Sequence, residues 1–211
     1  MAVVEEELHD RWTLELGRDR EATTTFDRLL TRYREPHRAY HTLAHVLHVL
    51  RRVDELLAVV PVGDASAVRL GAWYHDAVYD PRAGAGVNEA ASASLARRDL
   101  EALGQATGRI AGVERLVMIT ASHEPSEGAA DEAVFCDADL AVLGADPQAY
   151  TAYVNGVRTE YDFLTTDQWR VGRAAVLRSL LDRESIFSTP PMHALEATAR
   201  ANVTAELASL G

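Results

Sequence analysis

The stretch Thr42-Leu43-Ala44-His45-Val46-Leu47-His48-Val49-Leu50-Arg51-Arg52-Val53-Asp54-Glu55-Leu56-Leu57-Ala58-Val59 decides the fold class. Leu43, Val46, Leu47, Leu50, Val53, Leu56 and Leu57 recur at three- and four-residue steps, which places them on one side of an α-helix. Pro61 and Gly63 end it. The same pattern extends outward in both directions. Upstream, a helix runs from about Thr25 to Arg34 and stops near Pro36, because proline disfavours helix at the residue before it. Downstream, Asp64 caps a helix that passes through Val68 and Trp73 to about Asp76. Asp80-Pro81-Arg82-Ala83-Gly84-Ala85-Gly86 is a loop. Asn88 then reads as an N-cap and Gly104 as the closing glycine of the next helix. Further helices are expected at 108–121, 131–143, 147–163, 167–183 and 191–209. Asp146-Pro147 has the cap-then-proline order of a helix start. No run alternates like a strand. The expected architecture is all-α, a compact multi-helix single domain over 1–211, with core motifs at 40–140 and C-terminal helices at 147–209 packed on them.

Composition narrows the function. The 211 residues include 32 acidic and 21 basic side chains, for a net charge of -11. All 21 basic residues are arginine, which excludes a lysine Schiff base, a lysine nucleophile and a phosphate-loop lysine. The acidic balance argues against a duplex nucleic-acid partner, which needs a basic face. Cys136 is alone, so an internal disulfide and a multi-cysteine zinc site are excluded, and a reducing cytoplasm is the expected location. The opening Met1–Trp12 is acidic and lacks the order of a signal peptide. The longest apolar stretches carry His, Arg or Asp, so no membrane span is expected.

The eight histidines are crowded. His41, His45 and His48 share one side of a helix by their spacing. Packed or solvated histidines are the better reading for His37, and His48 is a neighbour rather than a ligand. Thirty residues after His45 comes Trp73-Tyr74-His75-Asp76. A His-Asp pair in an apolar helix costs solvation free energy unless each group has a partner. One divalent metal supplies both partners, since imidazole and carboxylate are usual ligands. Adjacent helical residues diverge by about 100°, so the pair reaches one ion most easily near a helix end. Phe135-Cys136-Asp137-Ala138-Asp139-Leu140 places two more carboxylates in an apolar context. Charge at a helix start suffices to explain Asp137 and explains Asp139 less well.

These residues resemble a known family. His45, His75-Asp76 and Asp139 are similar to the H…HD…D signature of the HD-domain superfamily of metal-dependent phosphohydrolases. Their surroundings resemble a branch of predicted hydrolases of about 200 residues. The matching pieces are Tyr40 to His45, Tyr74 to Asp80, Asn88-Glu89, Asp137 to Leu140, Leu143-Gly144, Arg158 to Tyr161, and Asn202. The resemblance implies an all-helical HD fold holding one divalent ion on His45, His75, Asp76 and Asp139. Asp137 for Asp139, and His41 for His45, stay open as alternatives. The ion is Mn, Fe, Co, Ni, Zn or Mg.

The implied activity is hydrolysis of a small phosphorylated molecule, a nucleotide being one candidate. A bound metal lowers the pKa of a water and polarises a phosphoryl oxygen. Asp76 then serves as both ligand and catalytic residue. Glu89 is a candidate proton donor, against the alternative of an ordinary acidic first turn. His123 is a candidate catalytic or ligand-orienting residue. His41, Arg158 and Tyr161 are candidate substrate contacts. The competing reading of Arg158 is a surface pair with Glu160 or Asp162, or a tether between helices, and for Arg170 and Arg173 a structural role is the better reading. Two other functions stand beside the hydrolase: a metal- and nucleotide-binding sensor without catalysis, and a di-iron oxygenase. His123 alone lies between the His-Asp pair and Asp139, which disfavours two fully ligated irons. A homo-oligomer is compatible with the sequence.

Overall fold

Ten α-helices follow one another in the computed structural model, which describes residues 2–211: α1 (Ala2–Leu16), α2 (Arg20–Tyr33), α3 (Leu43–Leu57), α4 (Ala65–Tyr74), α5 (Val87–Ala102), α6 (Thr107–Ile119), α7 (Ala130–Leu140), α8 (Pro147–Glu160), α9 (Thr166–Leu181) and α10 (Glu196–Ser209). Short 3₁₀ turns occupy Ala141–Gly144 and Pro190–Leu195. Among the described residues there is no strand, so the fold is all-α. No described helix is long and apolar enough to cross a membrane.

Local signals account for most helix ends. Asp64 accepts from the Ala67 amide and Asp146 from the Gln148 and Ala149 amides, as their side chains dictate. Gly104 follows α5 at a φ of 66°, the left-handed conformation that glycine adopts without strain. Asn88 departs from expectation. Gly86, at a φ of 76°, precedes the helix, and Asn88 already lies within its first turn. The Asn88 side chain reaches back, accepting from Asp80 N and donating to Asp80 O, and so closes the 80–86 loop. Helix α1 also departs from expectation. No helix was expected there, yet Val4, Leu8, Trp12 and Leu16 stand at four-residue steps and pack on the core, a stripe that the acidic run Glu5-Glu6-Glu7 hides.

One hydrophobic core takes in residues from Leu8 to Val203. Helix α4 lies within it, against α3, α6 and α7. A Cβ on Gly71 would stand 3.3 Å from both Leu116 Cβ and the Phe135 ring, so glycine is what lets α4 sit this close to α6 and α7. The Trp12 and Trp73 rings meet edge to face, 5.2 Å apart, with Phe26 6.0 Å from Trp73. Such edge contacts add about 1 kcal/mol each to area burial. Helix α4 is thereby gripped along its length, and its C-terminal end is delivered to a fixed place.

Candidate metal centre and cavity

Helix α4 stops at Tyr74, and His75-Asp76 follow at its C-terminal end, where backbone carbonyls lack helical partners. Buried donors satisfy them. The Tyr33 hydroxyl donates to Trp73 O at 2.9 Å, and Arg38 donates to Asp76 O at 2.8 Å and to His41 O at 3.0 Å. Arg38 is a functional support that no spacing in the sequence announced. Its guanidinium also lies over the Tyr33 and Tyr79 rings.

Four side chains converge beside this helix end. His45 Nε2, in the first turn of α3, stands 3.0 Å from His75 Nε2. Asp76 Oδ2 is 3.0 Å from His75 Nε2 and 3.5 Å from His45 Nε2. Asp139 Oδ1, from the last turn of α7, is 3.2 Å from His45 Nε2 and 3.5 Å from His75 Nε2. Donor atoms about 2.1 Å from one ion lie about 3.0 Å apart at right angles and about 3.4 Å apart at tetrahedral angles. The observed separations match that scale. His45, His75 and Asp76 present atoms all within 4.8 Å of one another and could hold a metal ion.

Hydrogen bonding agrees with this donor set. His75 Nδ1 lies 3.1 Å from Ala72 O, which can only accept, so the ring proton sits on Nδ1 and the Nε2 lone pair faces the cluster. His45 Nδ1 is buried without a partner, so Nε2 alone decides its tautomer. Burial opposes charge on all four groups, yet their mutual attraction outweighs it. The His75 and His45 pKa values are raised by Asp76 and Asp139, and both carboxyls lie well below their usual range. A cation entering the cluster competes with protons for these atoms.

Asp139 and His45, rather than Asp137 and His41, meet in the cluster. Asp137 points the other way and accepts from Ser188 N, Thr189 N and Thr189 Oγ1 at 2.6–2.8 Å. His41 Nε2 is 4.0 Å from Asp76 Oδ2, while its Nδ1 lies 2.6 Å from Glu160 Oε2. His123 joins from the side, with Nε2 2.7 Å from Asp139 Oδ2. Its backbone has a φ of 52°, the one left-handed non-glycine residue among those described. Arg183 holds that conformation by donating to Ser122 O and His123 O. Strained backbone of this kind persists only where its surroundings over-determine it.

Glu160 is the largest omission of the sequence reading, which named it only within the Arg158 to Tyr161 stretch and as one optional surface partner of Arg158. It is 3 % exposed. Its Oε1 accepts from the amides of Ala39, Tyr40 and His41, and Oε2 meets His41 Nδ1 and the Tyr79 hydroxyl. Opposed by burial but dominated by His41 and these amides, its pKa falls to about 2. Gly156, one turn earlier, lets α8 approach, since a Cβ there would stand 3.0 Å from Tyr40 Cβ.

A cavity of about 540 Å³ opens in front of the cluster, in the size range of small-molecule sites. Glu89 and Tyr161 line it, as does Arg173. Arg158 does not. Its guanidinium donates to Tyr161 O and Leu164 O and lies over Trp169, so it secures the end of α8 instead of facing the cavity. Arg170 ties down the C-terminus through Leu210 O and Gly211 O. His37 is committed to Tyr79 O, and His48 faces outward. Compared with known proteins, the chain matches no family model, no curated protein and no solved structure.

Proposed function

We propose that this chain is a cytoplasmic, metal-dependent phosphohydrolase of the HD type acting on a small phosphorylated compound. His45, His75, Asp76 and Asp139 are the proposed ligands of one divalent ion. The observation that carries the reading is the convergence of two imidazoles and two carboxylates at ligand spacing on the floor of a cavity. When bound there, such an ion would lower the pKa of a water and polarise a phosphoryl oxygen. The protein supplies placement. Nδ1 of His41 donates to Glu160, which leaves Nε2 to face a water or substrate hydroxyl. His123 fixes the orientation of Asp139 through Oδ2. Glu89, at the cavity wall, is the candidate proton donor to the leaving oxygen.

Metal analysis of the purified protein, a panel of phosphorylated compounds, and the His75→Ala and Asp76→Ala variants test this together. The expected result is one divalent ion per chain, release of inorganic phosphate, and loss of both in the variants. An ion that stays bound while every phosphorylated compound survives at high protein concentration points to a sensor instead. Two irons per chain with oxygen uptake points to an oxygenase.

A further inference from the structure

The part of the cavity lined by α8, α9 and the loop between them has a different chemistry from the His-Asp cluster. Helices α8 and α9 line it with Tyr153, Tyr161, Trp169 and Val176, joined by Leu164 from the loop between them. Aromatic rings form one track away from the cluster, with two further ring pairs beside it. Tyr40 lies 4.8 Å from His45 and 4.8 Å from Tyr153. Tyr79 lies 4.3 Å from His41, and Tyr161 lies 5.9 Å from Trp169. Between Trp169 and Val176, Gly172 also lines the cavity, and a Cβ there would meet nothing within 4 Å. Gly172 and Val176 are exposed and Arg158 covers part of Trp169, so what remains is an open-edged slot beside Trp169 and Tyr161 that suits a flat, weakly polar group.

The charges lining the cavity point the same way. Its acidic residues are Asp76, Glu89 and Asp139, and its one arginine is Arg173. Its charge is offset by Glu206, which Nε and Nη2 meet at 2.7 and 3.0 Å, and Nη2 also donates to the Tyr153 hydroxyl, so only Nη1 is left toward the cavity. The chain has no lysine. Recognition of a di- or triphosphate needs several free cationic donors for its extra negative charges. Among the described lining residues Nη1 of Arg173 is the one such donor, and its charge is already offset by Glu206.

Building on the phosphohydrolase reading, we infer that the substrate is a monoester, one phosphate carried by an aromatic alcohol whose ring lies against Trp169 and Tyr161. Water forms the new oxygen–phosphorus bond, and the bond from phosphorus to the alcohol oxygen breaks. That oxygen takes a proton, and the products are inorganic phosphate and the free alcohol. No oxidant or second substrate enters.

Benzyl phosphate and glycerol 1-phosphate are suitable probes, because both release an alcohol of similar acidity and differ in the ring. With the protein carrying the ion found on it, the expected KM is at least about tenfold lower for benzyl phosphate, the scale of burying one aromatic ring. ATP is expected to be a poor substrate. Benzylphosphonate, which cannot be hydrolysed, is expected to bind about tenfold more tightly than methylphosphonate by calorimetry. Trp169→Ala removes that preference. Gly172→Leu tests the slot without opening the core, since its side chain grows into free space on a helix; it too abolishes the benzyl preference. Equal affinity for the two phosphonates, or a preference for ATP, overturns this inference and leaves the hydrolase reading standing. Failure of every phosphonate and phosphate ester to bind or turn over on metal-loaded protein overturns both.

Discussion

Asp137 and Asp139 stand two residues apart on α7 and live in opposite surroundings. Asp137 is buried at the corner where the 188–189 segment arrives, and three neutral donors surround it. Burial outweighs those donors and pushes its pKa up. Asp139, a little more open, lies against imidazoles, and they pull its carboxyl well below the usual range although burial opposes this. The helix is shared. The partners differ, and they decide whether the carboxylate joins chain segments or is available to a cation. A buried acid beside neutral amides is architecture, whereas a buried acid beside ring nitrogens is reactive.

Exchanging the two roles by mutation is the sharpest way to break that contrast. Asp139→Asn removes one charge from the cluster, and we expect metal affinity to fall at least about 100-fold and phosphate release to fall further, with the fold intact by circular dichroism. Retained metal stoichiometry in this variant would contradict the assignment of Asp139. Glu160 combines both surroundings in one residue, amides on one oxygen and an imidazole on the other. Its pKa drops from 4.5 to about 2 on folding, so its stabilisation is full above the unfolded value and is lost as pH falls through about 2. Glu160→Gln is therefore expected to cost about 3 kcal/mol in urea unfolding at pH 7, and the gap to wild type should close between pH 4.5 and 2. Asp137→Ala strands three donors and should cost about 2 kcal/mol of stability while metal stoichiometry stays at the wild-type level. The smallest effect is expected from His123→Asn, which keeps a residue tolerant of positive φ but loses the bond to Asp139. Metal affinity should drop about tenfold there, with no change in melting temperature.

The contrast also separates what the sequence discloses from what it conceals. Helices α2 to α10 were legible because their apolar residues recur at helical steps and their caps are local. Ligand chemistry made the His75-Asp76 pair legible, because it restricts residue types and α4 ends just where an adjacent pair can turn toward one point, while His45 and Asp139 were added by the resemblance to the HD signature. Asp139 was preferred over Asp137 but the choice stayed open, since a helix written as a string has no facing direction until its neighbours are placed. Glu160 was misread for the same reason. Its partners lie about 120 positions earlier, and nothing in Arg158-Thr159-Glu160-Tyr161 marks a burial that only those partners make tolerable. Arg38 and Arg183 bind carbonyls, which every residue carries, so no pattern points to them.

Those arginines carry one more consequence. Arg38, Arg158, Arg183 and Arg200 each place a guanidinium on main-chain oxygens of a turn or helix end. Trypsin in this chain can cut only after arginine, so its accessible sites and the fold's own fasteners are the same residue type. Arg18, between α1 and α2, and Arg82, in the loop before α5, are exposed; Arg38 and Arg173 are buried. A brief digest should nick the chain after 18 and 82 first. The order in which later cuts follow would chart which fasteners let go as the molecule opens.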